Sequence, residues 1–233
     1  MNGATRTSDP GTSEEPSTST GIPLVTVSPR LRPLEKKGLF VCKWPQRDRM
    51  GGTMSLNWMM TYSGVVYRPF EPNSKDVRLG DIAHALSMIC RYGGHTRWFY
   101  SVAEHSVHVS HMVPPDLALE ALLHDAAEAY VGDMIIPLKW SGKLDEFKRI
   151  EKLNDLAIRI RFVLPHEESP EVKKADTDIR ETEWTTLMQP IPPEMVWKWP
   201  GVLDPSAHLK LWCPEIAEQK FLDRFNQLWK GGL

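Results

Sequence analysis

The stretch ALLHDAAEAYVGD, residues 121–133, decides how this chain is read. Its Leu and Ala content is that of a strong helix former. The segment from Asp116 to Tyr130 is expected to form one helix, with Gly132 just past its end. In that helix His124 and Glu128 are four residues apart and share a face. Asp125 lies about 100° round from His124. Ala126, Ala127 and Ala129 leave room for something to approach. The residues before the pair, among them Ala118, Leu119, Ala121, Leu122 and Leu123, are apolar. Burying a His, an Asp and a Glu in such company is costly unless they are paired or bound to a metal. Alone, a His-Asp pair reads as a core histidine beside a surface carboxylate. The apolar surroundings argue for a site.

A second histidine stands upstream. Ser101 opens a helix with Glu104 three residues on, the pattern of a capping box. That helix is expected to run to about His111 and to end before Pro114-Pro115. It carries His105 within EHSVHVSH. Helices joined by so few residues pack as neighbours, so His105 can face His124. A later carboxylate, Asp176 in VKKADTDIRE, falls in the first half of another helix. That helix begins at Ser169-Pro170-Glu171, with Pro at the first helical position, and runs to about Leu187. Two imidazoles and two carboxylates make a mixed N/O set. It suits one divalent ion: manganese, cobalt, zinc, iron or nickel. Coordination positions remain for water and substrate, as catalysis requires.

Around this nucleus the chain is ordinary. It has 233 residues, 41% hydrophobic and 25% charged, with a formal net charge of −2. That length suits one domain with tails. The charge balance excludes a globally basic nucleic-acid binder. Cys42, Cys90 and Cys213 are widely spaced and form no CxxC, so the chain reads as a reduced, cytoplasmic protein. No apolar run spans a membrane, and no charged n-region precedes an apolar stretch at the N-terminus.

Residues 1–50 read as a disordered, locally basic tail or linker. Residues 2–21 hold nine Ser/Thr and almost nothing apolar, too little to offset chain entropy. Arg30, Arg32, Lys36, Lys37, Lys43, Arg47 and Arg49 then face only Glu35 and Asp48. A weak anionic-partner arm is the rival reading. The core is expected over residues 56–187. It starts with a short extended entrance near Tyr62, Val65, Val66 and Tyr67. Helices follow at 79–91, where Ile82, Leu86 and Ile89 share a face, and at 143–162. Residues 188–233 read as a Pro- and Trp-rich loop and a C-terminal helix from Pro214, packing on the core. The fold class is therefore all-α, with about six helices.

The order His105, His124-Asp125, Asp176 resembles the HD-domain metal-dependent phosphohydrolase superfamily. The longer strings DIAHALSMICRYGGHTRWFYSVAEHS, ALLHDAAEAYVGDMIIPLK and VKKAD resemble one branch of it, the 5′-deoxynucleotidases and phage dATP triphosphohydrolases. The resemblance covers roughly residues 79–187. It implies an HD-domain helical bundle and a metal held by His105, His124, Asp125 and Asp176, with Asp178 the runner-up for the last ligand. It implies catalysis by Glu128 and Asp133. Glu128, one turn beyond His124, can reach an ion-activated water, and either acid can handle the proton transfer. It implies substrate contacts from Arg91, Tyr92 and Lys139, whose cations would neutralise charge on phosphoryl oxygens. The family relatives carry Trp at the position of Tyr92.

Other side chains offer weaker readings. His95, in GGHTRW, could line the pocket mouth, with Gly93-Gly94 as a gate or as a plain turn. Supporting or surface roles fit His108, and structural ion pairs fit Arg97 and Arg180. The expected reaction is hydrolysis of 2′-deoxyribonucleoside 5′-monophosphates to deoxynucleoside and phosphate. One alternative keeps the fold and releases triphosphate from dATP or another dNTP. Another is a non-catalytic nucleotide-sensing module. The expected partner is a nucleotide, with neither membrane nor nucleic acid, and the resemblance points to a homodimer.

Overall fold

The computed structural model describes residues 57–190 and 208–231. They belong to the unit Met54–Leu233. The expectations for residues 1–50, and for 191–207 of the Pro- and Trp-rich stretch, lie outside the described residues.

Among the described residues the architecture is all-α apart from one small hairpin. Strand β1 (Met59–Met60) pairs antiparallel with β2 (Val66–Tyr67), Met59 opposite Tyr67 and Met60 opposite Val66. Two strands this short are not stable alone. Tyr67 anchors them: its ring is fully buried and its hydroxyl donates to Asn154 Oδ1 at 2.8 Å. Asn154 in turn donates to Pro69 O and Ile150 O. One buried amide thus ties the hairpin to a helix 87 residues on.

Helix α1 (Leu79–Met88) stops three residues before the expected end. The chain there turns extended, and Cys90 forms a bridge with Ser101. Arg91 N–H donates to Tyr100 O and Val102 N–H to Ile89 O. Those cross-chain bonds outcompete another helical turn. Helix α2 (Val102–His111) is capped by Ser101, whose hydroxyl accepts from Glu104 N–H at 3.1 Å. Only half of the capping box forms. The fully buried Glu104 carboxylate instead accepts the backbone N–H groups of Lys210, Leu211 and Trp212 at 2.6–2.8 Å.

The helix expected over 116–130 is interrupted. Helix α3 (Ala118–Leu123) and helix α4 (Glu128–Val131) are separated by a tight turn at 124–127. The His124 imidazole donates through Nδ1 to Ala121 O at 2.8 Å. That carbonyl is the one an unbroken α-helix assigns to the Asp125 N–H. A side chain competing for a helical acceptor loosens the ladder. From here the bonds shorten to i→i+3: Ala126 to Leu123, Glu128 to Asp125 and Tyr130 to Ala127. Gly132, at φ 82, closes α4 in the left-handed half of the map where a side chain would be strained.

Helix α5 (Ile136–Lys139) is a single turn. Helix α6 (Asp145–Arg161), helix α7 (Pro170–Leu187) and helix α8 (Pro214–Leu228) lie close to the expected spans. Ser169 precedes α7 but does not cap it. Its N–H and hydroxyl both donate to Glu120, at 2.8 and 2.6 Å. Arg159 of α6 pairs with the same carboxylate at 3.2 Å. Glu120 is therefore the joint of α3, α6 and α7.

The core is built on α8, which packs against α1, α2 and α3. Its Ala217, Phe221 and Phe225, spaced i, i+4, i+8, are fully buried. Each phenyl ring removed from water contributes about 1.5–3 kcal/mol. Among the described residues no helix is long and apolar enough to cross a membrane.

Candidate metal centre

Four side chains from three places in the chain converge. His105 comes from α2, His124 and Asp125 from the tight turn, and Asp176 from α7. His105 Nε2 lies 3.3 Å from His124 Nε2. Asp125 Oδ2 is 3.5 Å from the first and 3.2 Å from the second. Asp176 Oδ1 is 3.3 Å from His105 Nε2 and 3.9 Å from His124 Nε2. His105, His124 and Asp125 form a group whose donor atoms could share one ion. Donors that each sit about 2.1 Å from a common ion cannot be more than about 4.2 Å apart. The separations among His105, His124 and Asp125 meet that limit; Asp176 approaches both imidazoles but stands outside that three-residue group.

The hydrogen bonding sharpens the case. His105 Nδ1 faces Glu183 Oε1 at 2.6 Å, and His124 Nδ1 faces Ala121 O. Both partners only accept, so both Nδ1 atoms carry hydrogens. Each Nε2 then has a lone pair unless it is protonated, and the two lone pairs point at one another. Asp176 Oδ1 is buried without a hydrogen-bond partner among the described residues and lies 3.3 Å from His105 Nε2. Such a cluster needs positive charge at its centre, supplied by protons or by a cation. The donor chemistry, two imidazole nitrogens and two carboxylate oxygens, fits a borderline divalent ion.

The electrostatics of the side chains carry the same demand. Burial lowers the His124 pKa, but Asp125 and then Asp176 outweigh it and lift the imidazole to about 9. Burial pushes the Asp125 carboxyl up, and His124, His105 and Arg91 bring it well below the usual range.

The other site residues fall into two groups. Glu128 is 4% exposed, and its Oε2 has no hydrogen-bond partner among the described residues. Burial, then the charges of Asp125 and Asp133, drive its carboxyl well above the ordinary value. Asp133 is half-buried and also raised, chiefly by burial. Lys139 pairs with Glu151 at 2.8 Å. Glu128 and Lys139 line a cleft of about 640 Å³ that also exposes His124, Asp125 and Asp176. Its walls also carry Trp140, the cations Lys148, Lys152 and Lys173, and the acids Asp155, Glu167 and Glu168.

Asp133, Arg91, Tyr92 and His95 do not line that cleft. The buried Arg91 guanidinium lies between Asp125 Oδ2 and Glu183 Oε2, 3.3 Å from each. Tyr92 donates to Glu183 Oε2 at 2.7 Å. His95 is exposed. Asp178 pairs with Lys174. Arg180 pairs with Asp176, and Arg97 donates to Thr186 O.

Glu183 went unnoticed in the sequence. It is fully buried and accepts from His105, Tyr92 and Tyr100. Burial would raise its carboxyl, but Arg91 and His105 hold it far below the carboxylate range. One signal was available: Glu183 follows Asp176 by seven residues, two helical turns along one face of α7.

Fold and site thus define a mostly helical protein with a candidate metal centre between its helices. No family model matches the chain. It is 43% identical over 128 residues to the uncharacterized protein YfdR of Escherichia coli (strain K12), an overlap of 55% of this chain and 71% of YfdR. It is 36% identical over 138 residues to the uncharacterized protein RCAP_rcc00048 of Rhodobacter capsulatus, covering 53% of this chain and 69% of that one. The chain belongs to the family of these two proteins.

Proposed function

We propose that this protein is a metal-dependent phosphohydrolase of the HD-domain type, acting on nucleotides. The preferred substrate is a 2′-deoxyribonucleoside 5′-monophosphate, cleaved to deoxynucleoside and phosphate. The observation that carries the reading is the 3.3 Å approach of His105 Nε2 and His124 Nε2, with both Nδ1 atoms committed elsewhere and two carboxylates closing the set.

His105, His124, Asp125 and Asp176 would hold the ion. A divalent cation there supplies Lewis acidity toward a phosphoryl group and acidifies water. Glu128 would carry the proton transfer. Its Oε2 is buried and has no hydrogen-bond partner among the described residues, and its raised pKa would let it donate to a departing ester oxygen. Asp133, whose titration responds to Asp125 and Arg91, would orient the reacting water or a sugar hydroxyl. Lys139 would trade Glu151 for a phosphoryl oxygen. The cleft is roomy, and its walls carry Lys148, Lys152 and Lys173 alongside Glu151, Asp155, Glu167 and Glu168, so room more than charge keeps the triphosphate alternative in play.

The test is an assay of the purified full chain with Mn²⁺ or Co²⁺ against dNMPs, NMPs and dNTPs. Phosphate release from dNMPs is expected. Triphosphate release from dNTPs alone would select the alternative. Nucleotide binding without turnover would make the protein a sensor and overturn the enzymatic reading.

A further inference from the structure

Resting on the metal-centre reading but not on the reaction, we propose that Glu183 is a positioning residue. Together with Arg91 it presets the donor atoms of His105 and Asp125 before any cation arrives.

The Glu183 carboxylate is surrounded by donors only. Oε1 takes His105 Nδ1 at 2.6 Å and the Tyr100 hydroxyl at 2.9 Å. Oε2 takes the Tyr92 hydroxyl at 2.7 Å and faces Arg91 Nε at 3.3 Å. An ionised carboxylate can only accept. The hydrogen of His105 is therefore pinned to Nδ1, and its Nε2 lone pair is aimed at His124 and both aspartates. Carboxylate partners of ligating histidines fix ring and tautomer in this way.

Arg91 extends the device to a second ligand. Its guanidinium forms an ion pair with Glu183, Nε standing 3.3 Å from Oε2 without a hydrogen bond, and donates through a terminal nitrogen to Asp125 Oδ2 at 3.3 Å. A planar fork can hold two carboxylates in fixed relation, which a lysine cannot. The local backbone explains how two successive residues serve one carboxylate. Neighbours on an extended strand point to opposite sides. Tyr92 instead takes φ 57, followed by Gly93 at φ 61, and this left-handed turn lets Arg91 and Tyr92 converge on Glu183. The register of α7 completes the arrangement. Asp176 and Glu183 lie two turns apart on that helix, so it supplies one donor and orients another.

A merely structural Glu183 would neutralise Arg91 and do nothing for the centre. The two cases separate in cation binding. The probe is Co²⁺, titrated into the full-length wild type, Glu183→Gln and Arg91→Lys, and read by affinity and by the visible d–d spectrum. Thermal unfolding is measured in parallel. Wild type is expected to bind one Co²⁺, with Glu183→Gln about 10–100-fold weaker and altered in spectrum. Arg91→Lys should weaken binding in the same direction, by less. Variants that melt lower yet bind Co²⁺ as wild type does, with the same spectrum, overturn the proposal and leave the metal centre standing. A wild type that takes up no Co²⁺ removes the metal centre itself. If Glu183→Gln does not fold, wild type loaded with diamagnetic Zn²⁺ decides by ring ¹⁵N shifts. Hydrogen on His105 Nδ1 is expected, and ligation through Nδ1 overturns the assignment.

Discussion

His105 Nε2 and His124 Nε2 stand 3.3 Å apart, although 19 residues separate them in the chain and each ring has its other nitrogen tied to an acceptor. Two lone pairs so close repel unless positive charge lies between them. The predictions about the centre follow from that contact.

Asp125→Ala should abolish cation binding. Asp125 Oδ2 sits within 3.5 Å of both Nε2 atoms, and Asp176 alone leaves the centre short of negative charge. Wild type should gain thermal stability on adding Mn²⁺, as any ligand selective for the native state provides. The variant should show no gain, and turnover should vanish with it. Metal analysis after gel filtration supplies the stoichiometry.

Glu128→Ala should separate binding from chemistry. Its Oε2 has no hydrogen-bond partner among the described residues. Cation affinity should stay within a few-fold of wild type. The rate should fall by about 10²–10⁴, the usual contribution of a positioned acid or base. A near-normal kcat would remove Glu128 from the proton-transfer role.

Cation affinity should fall as the pH falls. Below about pH 9 the metal-free His124 carries an extra proton, which must leave before Nε2 can donate a lone pair. Proton and cation compete for one atom, so the logarithm of affinity should rise with a slope of about one per pH unit up to pH 9. The metal-free protein should behave oppositely in stability. Its raised His124 pKa contributes fully below the unfolded value of about 6.5 and is lost as pH rises through 9. Melting curves with and without Mn²⁺ should therefore diverge as the pH increases.

Glu120→Ala should destabilise the fold without touching the centre. It strips Arg159 of a buried partner and leaves the Ser169 N–H and hydroxyl unmatched. Breaking one side of a buried pair costs about 3–5 kcal/mol. Phe221→Ala in α8 should cost about as much through its cavity. Denaturant titration measures both. The Glu120 variant should still bind Co²⁺ below its lowered melting point.

Local signals carried much of the fold. Ser101 marked the start of α2, and Pro170 and Pro214 marked the starts of α7 and α8, because caps and first-turn prolines act within a few residues. They failed where a distant partner took over. Glu104 completes no capping box, because three backbone N–H groups after residue 209 outbid the end of its own helix. The helix through 124–127 tightened because His124 captured the Ala121 carbonyl.

By itself the sequence determined the helical character of residues 79–187 and pointed to His105, His124 and Asp125 as a group able to share one ion, since residue type and helical spacing are local properties. Only the tertiary structure decided that Arg91 and Tyr92 turn onto Glu183 and away from the cleft. It alone showed that Glu183 orients His105 from 78 residues away. Those choices depend on which charges are buried together. In a desolvated interior a guanidinium goes to the nearest carboxylates, and chain distance has no say in which ones those are.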